Sequence, residues 1–373
     1  MVVSLLVLAC GLILGACVLL NHPRFGKAPG DVRLEAIEKS PNYVGGEFRN
    51  LIDTPKFTQD ASTFSILLDH LLNPPERLTP VGPVPSMKTD LKALDPSTDM
   101  VIWLGHSSYY IQLGGKKMLI DPVLSDHAAP FSFINKAFAG TNVYTAQDIP
   151  GVDYLLISHE HWDHLDYPTA AALKNKVNHV ICPLGIGAYF ETWGYDTNKI
   201  SEGDWYDQFE FGDGIQIRLL PARHYSNRLL KENQTLWGGF ALEFGVRRLF
   251  FSGDSGYGPH FAEIGRQFGS FDFAALDCGQ YDERWANIHM NPEEAIEAAK
   301  DLNAATLLPS HVGRFSIARH AWDEPFVRIA SASHGESPRL LTPVIGEPIL
   351  LGAEQQEFSQ WWIRLASQEA GNG

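Results

Sequence analysis

The chain has 373 residues, 45% of them apolar, 20% charged and 11% aromatic, a composition that supports a large core and excludes disordered, collagenous and disulfide-stapled chains. A net charge of −15 argues against general affinity for nucleic acid, where basic patches supply most of the attraction. Of the four cysteines, Cys10 and Cys17 fall in an N-terminal apolar stretch, and Cys182 and Cys278 read as buried free thiols.

Residues 2–20, VVSLLVLACGLILGACVLL, carry no charge and approach the ~20 residues with which a helix crosses a bilayer. They read as a single-pass anchor or an export signal. Leu14-Gly15-Ala16-Cys17 resembles the lipobox, in which the cysteine is lipidated after cleavage. No Lys or Arg precedes the run, whereas Arg24, Lys27 and Arg33 follow it and favour a cytoplasmic body. The expectation is membrane attachment, with the periplasmic or cytoplasmic face left open. Residues 21–95 are rich in Pro, Asn, Asp and Ser and show little periodicity beyond a short helical pattern at 64–72. They read as an arm packed on a main domain of residues 96–373.

From residue 100 onward the pattern changes to short apolar runs, each ending in a polar or glycine-rich turn. The runs at 101–104, 118–120, 154–157, 179–182, 215–220, 240–244, 249–251, 273–276 and 305–308 predict strands. The clearest helix opens with Asn291 as N-cap, Pro292 at N1 and Glu294 at N3, and Ala295, Ile296, Ala299 and Leu302 mark its apolar face. Strands interrupted by helices predict an α/β protein of sheets packed face to face with helices outside.

The segment His159-Glu160-His161-Trp162-Asp163-His164 places three His and two carboxylates in six positions, directly after a predicted strand. Neutral imidazole with carboxylate suits zinc, so metal ligation explains the density best. Further candidates repeat the placement: His106, Asp121, His224, Asp254 and His311 each stand shortly past the end of an apolar run. Residues so placed can gather on one edge of the sheets. His22, His70, His127, His179, His260 and His320 lack such spacing and read as surface or packed histidines.

His159-x-His161-x-Asp163-His164, followed in order by His224, Asp254 and His311, resembles the metallo-β-lactamase superfamily. The likeness covers about residues 100–350 and implies a four-layer αββα sandwich with a dinuclear site, usually two zinc ions, at one sheet edge. It implies that His159, His161 and His224 hold one metal, that Asp163, His164 and His311 hold the other, and that Asp254 bridges them. Within the superfamily, Val101-Ile-Trp-Leu-Gly-His-Ser-Ser108, Ile120-Asp-Pro122, His289-Met-Asn-Pro-Glu-Glu-Ala295 and His334-Gly-Glu-Ser337 are similar to the family of the N-acylphosphatidylethanolamine-hydrolysing phospholipase D.

Two divalent metals ~3.5–4 Å apart bind one water between them and present hydroxide at neutral pH. Local charge from metal also lets an acidic chain bind a phosphodiester. Asp121 then acts behind the ligands, orienting an imidazole through its second nitrogen, and His106 is a candidate for the same role. The family likeness places His289 at the active site, where it stabilises a developing oxyanion or protonates the leaving oxygen. The Gly253 turn brings Asp254 close to both metals, and Trp162 is positioned to line an apolar channel. The resulting expectation is a membrane-attached, zinc-dependent phosphodiesterase acting on N-acylphosphatidylethanolamine or a related phospholipid, with no nucleic-acid partner. Two alternatives stand beside it: a lactonase or other hydrolase on the same metal pair, and a membrane-anchored binding module without catalysis. The intact set of candidate ligands speaks against the last.

Overall fold

Each apolar run forms a strand, because it is short, rich in Val, Ile, Leu and Phe, and closed by a turn. The computed structural model describes residues 20–370 apart from 28, 59, 60, 74, 229, 230, 334–336 and 354. The apolar stretch before Leu20, with Cys10 and the lipobox Cys17, lies outside the described residues, as do His334 and Glu336. Among the described residues no helix is long and apolar enough to cross a membrane.

A small hairpin, β1 (Tyr43–Val44) and β2 (Glu47–Phe48), belongs to the N-terminal arm. The first large sheet holds β3 (Met100–Gly105), β4 (Ser108–Leu113), β5 (Lys116–Ile120), β6 (Val152–Leu156), β7 (Val177–Pro183) and β8 (Ile200–Gly203). The second holds β9 (Gln208–Glu210), β10 (Ile215–Leu220), β11 (Gly239–Phe244), β12 (Arg247–Phe251), β13 (Phe273–Asp277), β14 (Thr306–Ser310) and β15 (Arg339–Leu340). β16 (Pro348–Leu350) returns to the first sheet, whose order is β16-β3-β4-β5-β6-β7-β8. The second runs β15-β14-β13-β12-β11-β10-β9. In both sheets antiparallel neighbours come first, and then parallel ones from β5 to β8 and from β12 to β15.

Side chains alternate between two cores, as the period of a strand requires. Val101, Trp103, Tyr109, Ile111, Met118 and Ile120 face the second sheet, while Ile102, Leu104, Tyr110 and Leu119 enter a separate outer core with Leu173, Ile186 and Phe190 from the covering helices. Both faces of the first sheet are therefore covered, and the helix Pro292–Asp301 covers the second through Ala295, Ile296 and Ala299. The result is the four-layer αββα sandwich. Asn291 and Glu294 form the reciprocal capping box that their spacing predicts. The arm helix Thr63–Leu72 starts on a box of Ser62 and Ser65.

Apolar runs do not announce the short strands β1, β2, β8, β9, β15 and β16, nor the six-residue β4. Its Ser-Tyr-Tyr-Ile-Gln-Leu sequence is buried throughout, because its polar atoms are paired: Tyr109 donates to Ser310 Oγ at 2.5 Å, and Gln112 Nε2 donates to the carbonyls of Asp95 and Thr98. Cys182 and Cys278 are buried free thiols, as expected.

Candidate metal centre

The C-terminal ends of β3, β5, β6, β10, β12, β13 and β14 point to one edge of the sandwich, and the residues that follow them converge there. His106, Asp121 and His311 leave their strands with φ of 55°, 42° and 63°, left-handed turns that swing the side chains back over the edge. Gly253 has φ 59°, and a Cβ there would meet Gly238 O at 2.7 Å and Ser158 Cβ at 2.9 Å. Only glycine allows this turn to approach so closely, and the approach delivers Asp254.

Potential ligand atoms gather in three groups, of which one, Asp254, Asp277, His289 and His311, shares members with the other two. Of those two, His159, His161, His224 and Asp254 form the first, and His106, Asp163, His164 and His311 form the second. In the first, His161 Nδ1 stands 2.9 Å from His159 Nε2 and 3.2 Å from His224 Nε2. His224 Nδ1 donates to Ile288 O at 3.0 Å, so a neutral ring turns the lone pair of Nε2 into the cluster. In the second, Asp163 Oδ2 lies 2.9 Å from His106 Nε2 and 3.1 Å from His311 Nε2. Asp254 reaches both groups: its Oδ1 is 3.1 Å from His164 Nε2, and its Oδ2 lies 3.3 Å from His311 Nε2 and 3.6 Å from His159 Nε2.

The donor set fits divalent cations. Buried atoms at the cluster without a hydrogen bond include His161 Nε2, His164 Nε2 and Asp254 Oδ1. Such orphans are costly in a core unless a cation accepts their lone pairs. Burial keeps the first group's imidazoles neutral, pushing His161 down to about 3 and His159 and His224 well below their usual range. In the second group burial opposes charge too, yet Asp254, Asp277 and Asp163 outweigh it and lift His311 to about 10. Asp254 and Asp163 likewise raise His164 well above the ordinary imidazole value. The carboxyls of Asp163 and Asp254 are held well below theirs, because these imidazoles outweigh the burial that opposes their charge.

That charge pattern predicts coupling between metal and protons. At pH 8 the metal-free protein keeps a proton on His311, since this pH lies below its raised value of about 10, and zinc must displace that proton along with any that the raised His164 ring holds. Titrating metal-free protein with zinc in weak buffer should release at least about one proton per chain, read with an indicator dye. No acidification would mean that both rings are already neutral.

Asp121 sits where an orienting carboxylate belongs. Its Oδ2 meets His164 Nδ1 at 2.8 Å and accepts from Ser158 Oγ at 2.5 Å, while its Oδ1 accepts from Ser158 N at 2.7 Å. His106 contacts Asp163 and joins the second group itself, where the sequence suggested a place behind the ligands. Glu160 turns away from the cluster and accepts Tyr189 OH at 2.6 Å. His289 lies at the wall of the cavity above the cluster, with Nδ1 2.8 Å from Asp277 Oδ2. Among the described residues, His22, His127, His179, His260 and His320 join none of the potential ligand groups.

Three contributors escape sequence reasoning. Asp277 ends β13 and is fully buried beside His289 and His311; its signal was the strand-end placement shared by the other candidates. Arg228 is 4% exposed, stacks 3.8 Å over the Trp162 ring, and donates to the carbonyls of Glu160 and Leu165 at 2.8 and 2.7 Å. It thereby clamps both ends of the segment that carries His161, Asp163 and His164. Asn50, from the arm, brackets the backbone of His224, donating to its O at 2.7 Å and accepting from its N at 3.0 Å.

A cavity of about 490 Å³ opens over the cluster. His161, Asp163, Asp254 and His311 contribute its polar floor, and Phe57, Ile66, Trp162, Tyr225, Trp285 and Ile288 contribute apolar walls. Phe57 and Ile66 come from the arm, so residues 21–95 help to enclose the site.

A family model described as "Beta-lactamase superfamily domain" matches residues 116–312. The chain is 35% identical over 316 residues to the uncharacterized protein Rv0906 of Mycobacterium tuberculosis, covering 84% of this chain and 85% of that one. It is 34% identical over 225 residues to the N-acyl-phosphatidylethanolamine-hydrolyzing phospholipase D 1 of Caenorhabditis elegans, covering 57% of this chain and 63% of that one. Igni18, a metallo hydrolase from Ignicoccus hospitalis, shares the fold with a TM-score of 0.51 at 19% identity, covering 70% of this chain and all of that one. With the matched domain spanning the ligand-bearing strands, this chain belongs to the β-lactamase superfamily and is one of its metal-dependent hydrolases.

Proposed function

We propose that the protein is a zinc-dependent phosphodiesterase of the phospholipase D type, which cleaves N-acylphosphatidylethanolamine or a related phospholipid to phosphatidic acid and an N-acylethanolamine. The observation that carries this reading is a cavity with apolar walls and a floor of His and Asp. Relatives named as phospholipases of that type support it. Two zinc ions, held by His159, His161 and His224 and by Asp163, His164 and His311 with Asp254 between them, would supply a Lewis acid for the phosphoryl oxygens and a water activated at neutral pH.

The chain's own residues supply the rest. Trp162, Tyr225 and Ile288 offer acyl chains an apolar surface and keep bulk water from the floor. Among the described residues, the Lys and Arg side chains that line the cavity are both engaged: Lys56 pairs with Glu232 at 2.6 Å, and Arg228 is held by Trp162 and backbone carbonyls. The phosphoryl charge is therefore left to the floor. Asp121 and Ser158 keep His164 in one orientation, and Asn50 does the same for the backbone of His224.

Membrane attachment belongs to the same proposal. The residues that follow the apolar run dock beside the cavity: Phe25 packs on Trp162 with ring centroids 5.3 Å apart, and Arg24 donates to Pro130 O. The loop around Pro130 carries Phe133, 73% exposed, and Ile134, 39% exposed, while its Ala128 and Asn135 line the cavity. An apolar tip next to the mouth suits a lipid surface. Phe133→Asp should lower turnover of vesicle lipid several-fold and leave hydrolysis of a soluble short-chain diester unchanged. Equal loss on both substrates would count against lipid contact.

The deciding experiment gives zinc-loaded protein N-acylphosphatidylethanolamine micelles in oxygen-18 water and reads the products by mass spectrometry. Label in phosphatidic acid is the expected result. Label in a released fatty acid, or no turnover with two zinc ions bound, overturns the assignment and directs the search to esters and lactones.

A further inference from the structure

Polar side chains in the cavity wall are for the most part engaged by the protein itself. Asn227 Nδ2 donates to Glu232 at 3.2 Å, the carboxylate that also holds Lys56. Gln280 gives Nε2 to the carbonyls of His311 and Phe315 and accepts through Oε1 from the N–H groups of Ile317 and Ala318. Tyr225 is different. It lines the cavity half-buried, and its hydroxyl meets no hydrogen-bond partner among the described residues. Nor is that oxygen among the buried orphan atoms, so it is open to a ligand or to water. Asp163 and Asp254 act electrostatically on it, as does Glu232, which sets the hydroxyl within reach of the floor. The ring that carries it is pinned: Lys56 Nζ stands 4.3 Å from its centroid, and the rings of His161 and His224 pack against it at 4.6 and 4.9 Å. For acyl chains alone phenylalanine would serve better here, because a hydroxyl facing an apolar chain loses its hydrogen bond to water.

We propose that the Tyr225 hydroxyl binds the substrate's phosphoryl group, donating a hydrogen bond to a non-bridging oxygen. This inference rests on the phosphodiesterase reading. The two non-bridging oxygens of a diester share one negative charge, and a hydrogen bond to a charged acceptor is roughly twice as strong as one between neutral groups. A phenol keeps its proton until about pH 10, so at neutral pH the hydroxyl donates. The bond forms on binding and tightens as charge builds on the phosphoryl oxygens during attack. No proton changes hands. A donor held in place by packing on His161, His224 and Lys56 needs little reorganisation at that moment, which is what makes such a group effective. Tyr225 thereby supplies from the wall a neutral donor that complements the charge of the floor.

The test compares wild type and Tyr225→Phe, both zinc-loaded, because phenylalanine keeps the ring and the apolar wall and removes only the hydroxyl. On N-acylphosphatidylethanolamine micelles kcat/KM should fall about 10- to 100-fold, with most of the loss in kcat. Zinc content and the urea midpoint should stay at their wild-type values. An undiminished kcat/KM overturns the proposal, and so does a loss that comes with a lower zinc content or midpoint, since either marks a structural defect. A readout free of turnover is calorimetric binding of two probes with the same alkyl chain: O-methyl dodecylphosphonate, an anionic analogue of the diester, and dodecanol, which has no phosphoryl group. Tyr225→Phe should bind the phosphonate about tenfold more weakly and dodecanol as wild type does. Equal weakening for both probes, or none for the phosphonate, overturns the role of the hydroxyl. A wild type inert to every phosphodiester sinks the substrate reading, and the phosphonate comparison then decides the role of Tyr225 by itself. A wild type that also fails to bind the phosphonate overturns both.

Discussion

Asp254→Ala is expected to reduce turnover about 1000-fold or more, and to leave less than two zinc ions per chain after dialysis. Asp254 is the carboxylate within 3.1 to 3.6 Å of imidazoles from both ligand groups, so its loss opens both coordination sets together. Metal charge at a phosphoryl centre is worth several kcal/mol of barrier, and each ~1.4 kcal/mol is a factor of ten. Asp121→Ala should do less, about 10- to 100-fold in zinc affinity, because Asp121 only steers His164 from behind. Measuring kcat together with zinc content by plasma mass spectrometry separates the two effects. Near-native turnover with full zinc in Asp254→Ala would refute the bridging assignment.

The largest effect on stability is expected from Arg228→Ala, at about 3–5 kcal/mol. Burial lowers the Arg228 guanidinium to about 10, which leaves it cationic at neutral pH beside the buried carboxyl of Glu160. Removing it leaves that carboxyl without its cation and the carbonyls of Glu160, Leu165 and Arg24 short of a donor, and it strips the stacking from Trp162. The urea midpoint should fall with an unchanged slope, and zinc should bind more weakly because the segment 160–165 loses its clamp. Arg228→Lys keeps the charge but not the planar fork, so it should recover only part of the loss. A midpoint within experimental error of wild type would show that the clamp carries no load.

Most of the first floor of the site is legible in the chain itself. His159, His161, Asp163, His164, His224, Asp254 and His311 all stand just past apolar runs, and the end of a strand in a layered sandwich is necessarily at a sheet edge. The strands at 101–104, 215–220 and 249–251 and the box of Asn291 and Glu294 were equally readable. Their causes are local: side-chain period, turn chemistry and capping act within a few residues of one another. β4 was not readable, because a Tyr-rich strand is buried only when Ser310, some two hundred residues on, meets Tyr109. Asn50 and Arg228 were hidden for a related reason. Their partners are main-chain groups of His224, Glu160 and Leu165, and a backbone carbonyl leaves no trace in residue identity. Asp277 shared the strand-end placement, but as the last residue of β13 it reads as part of the strand until stacking of the turns brings His289 and His311 against it. The sequence by itself determined the kinds of ligand and the edge on which they gather. Tertiary structure decided which buried groups hold them in place, because those pairings depend on how two sheets, an arm and their loops come together over long separations.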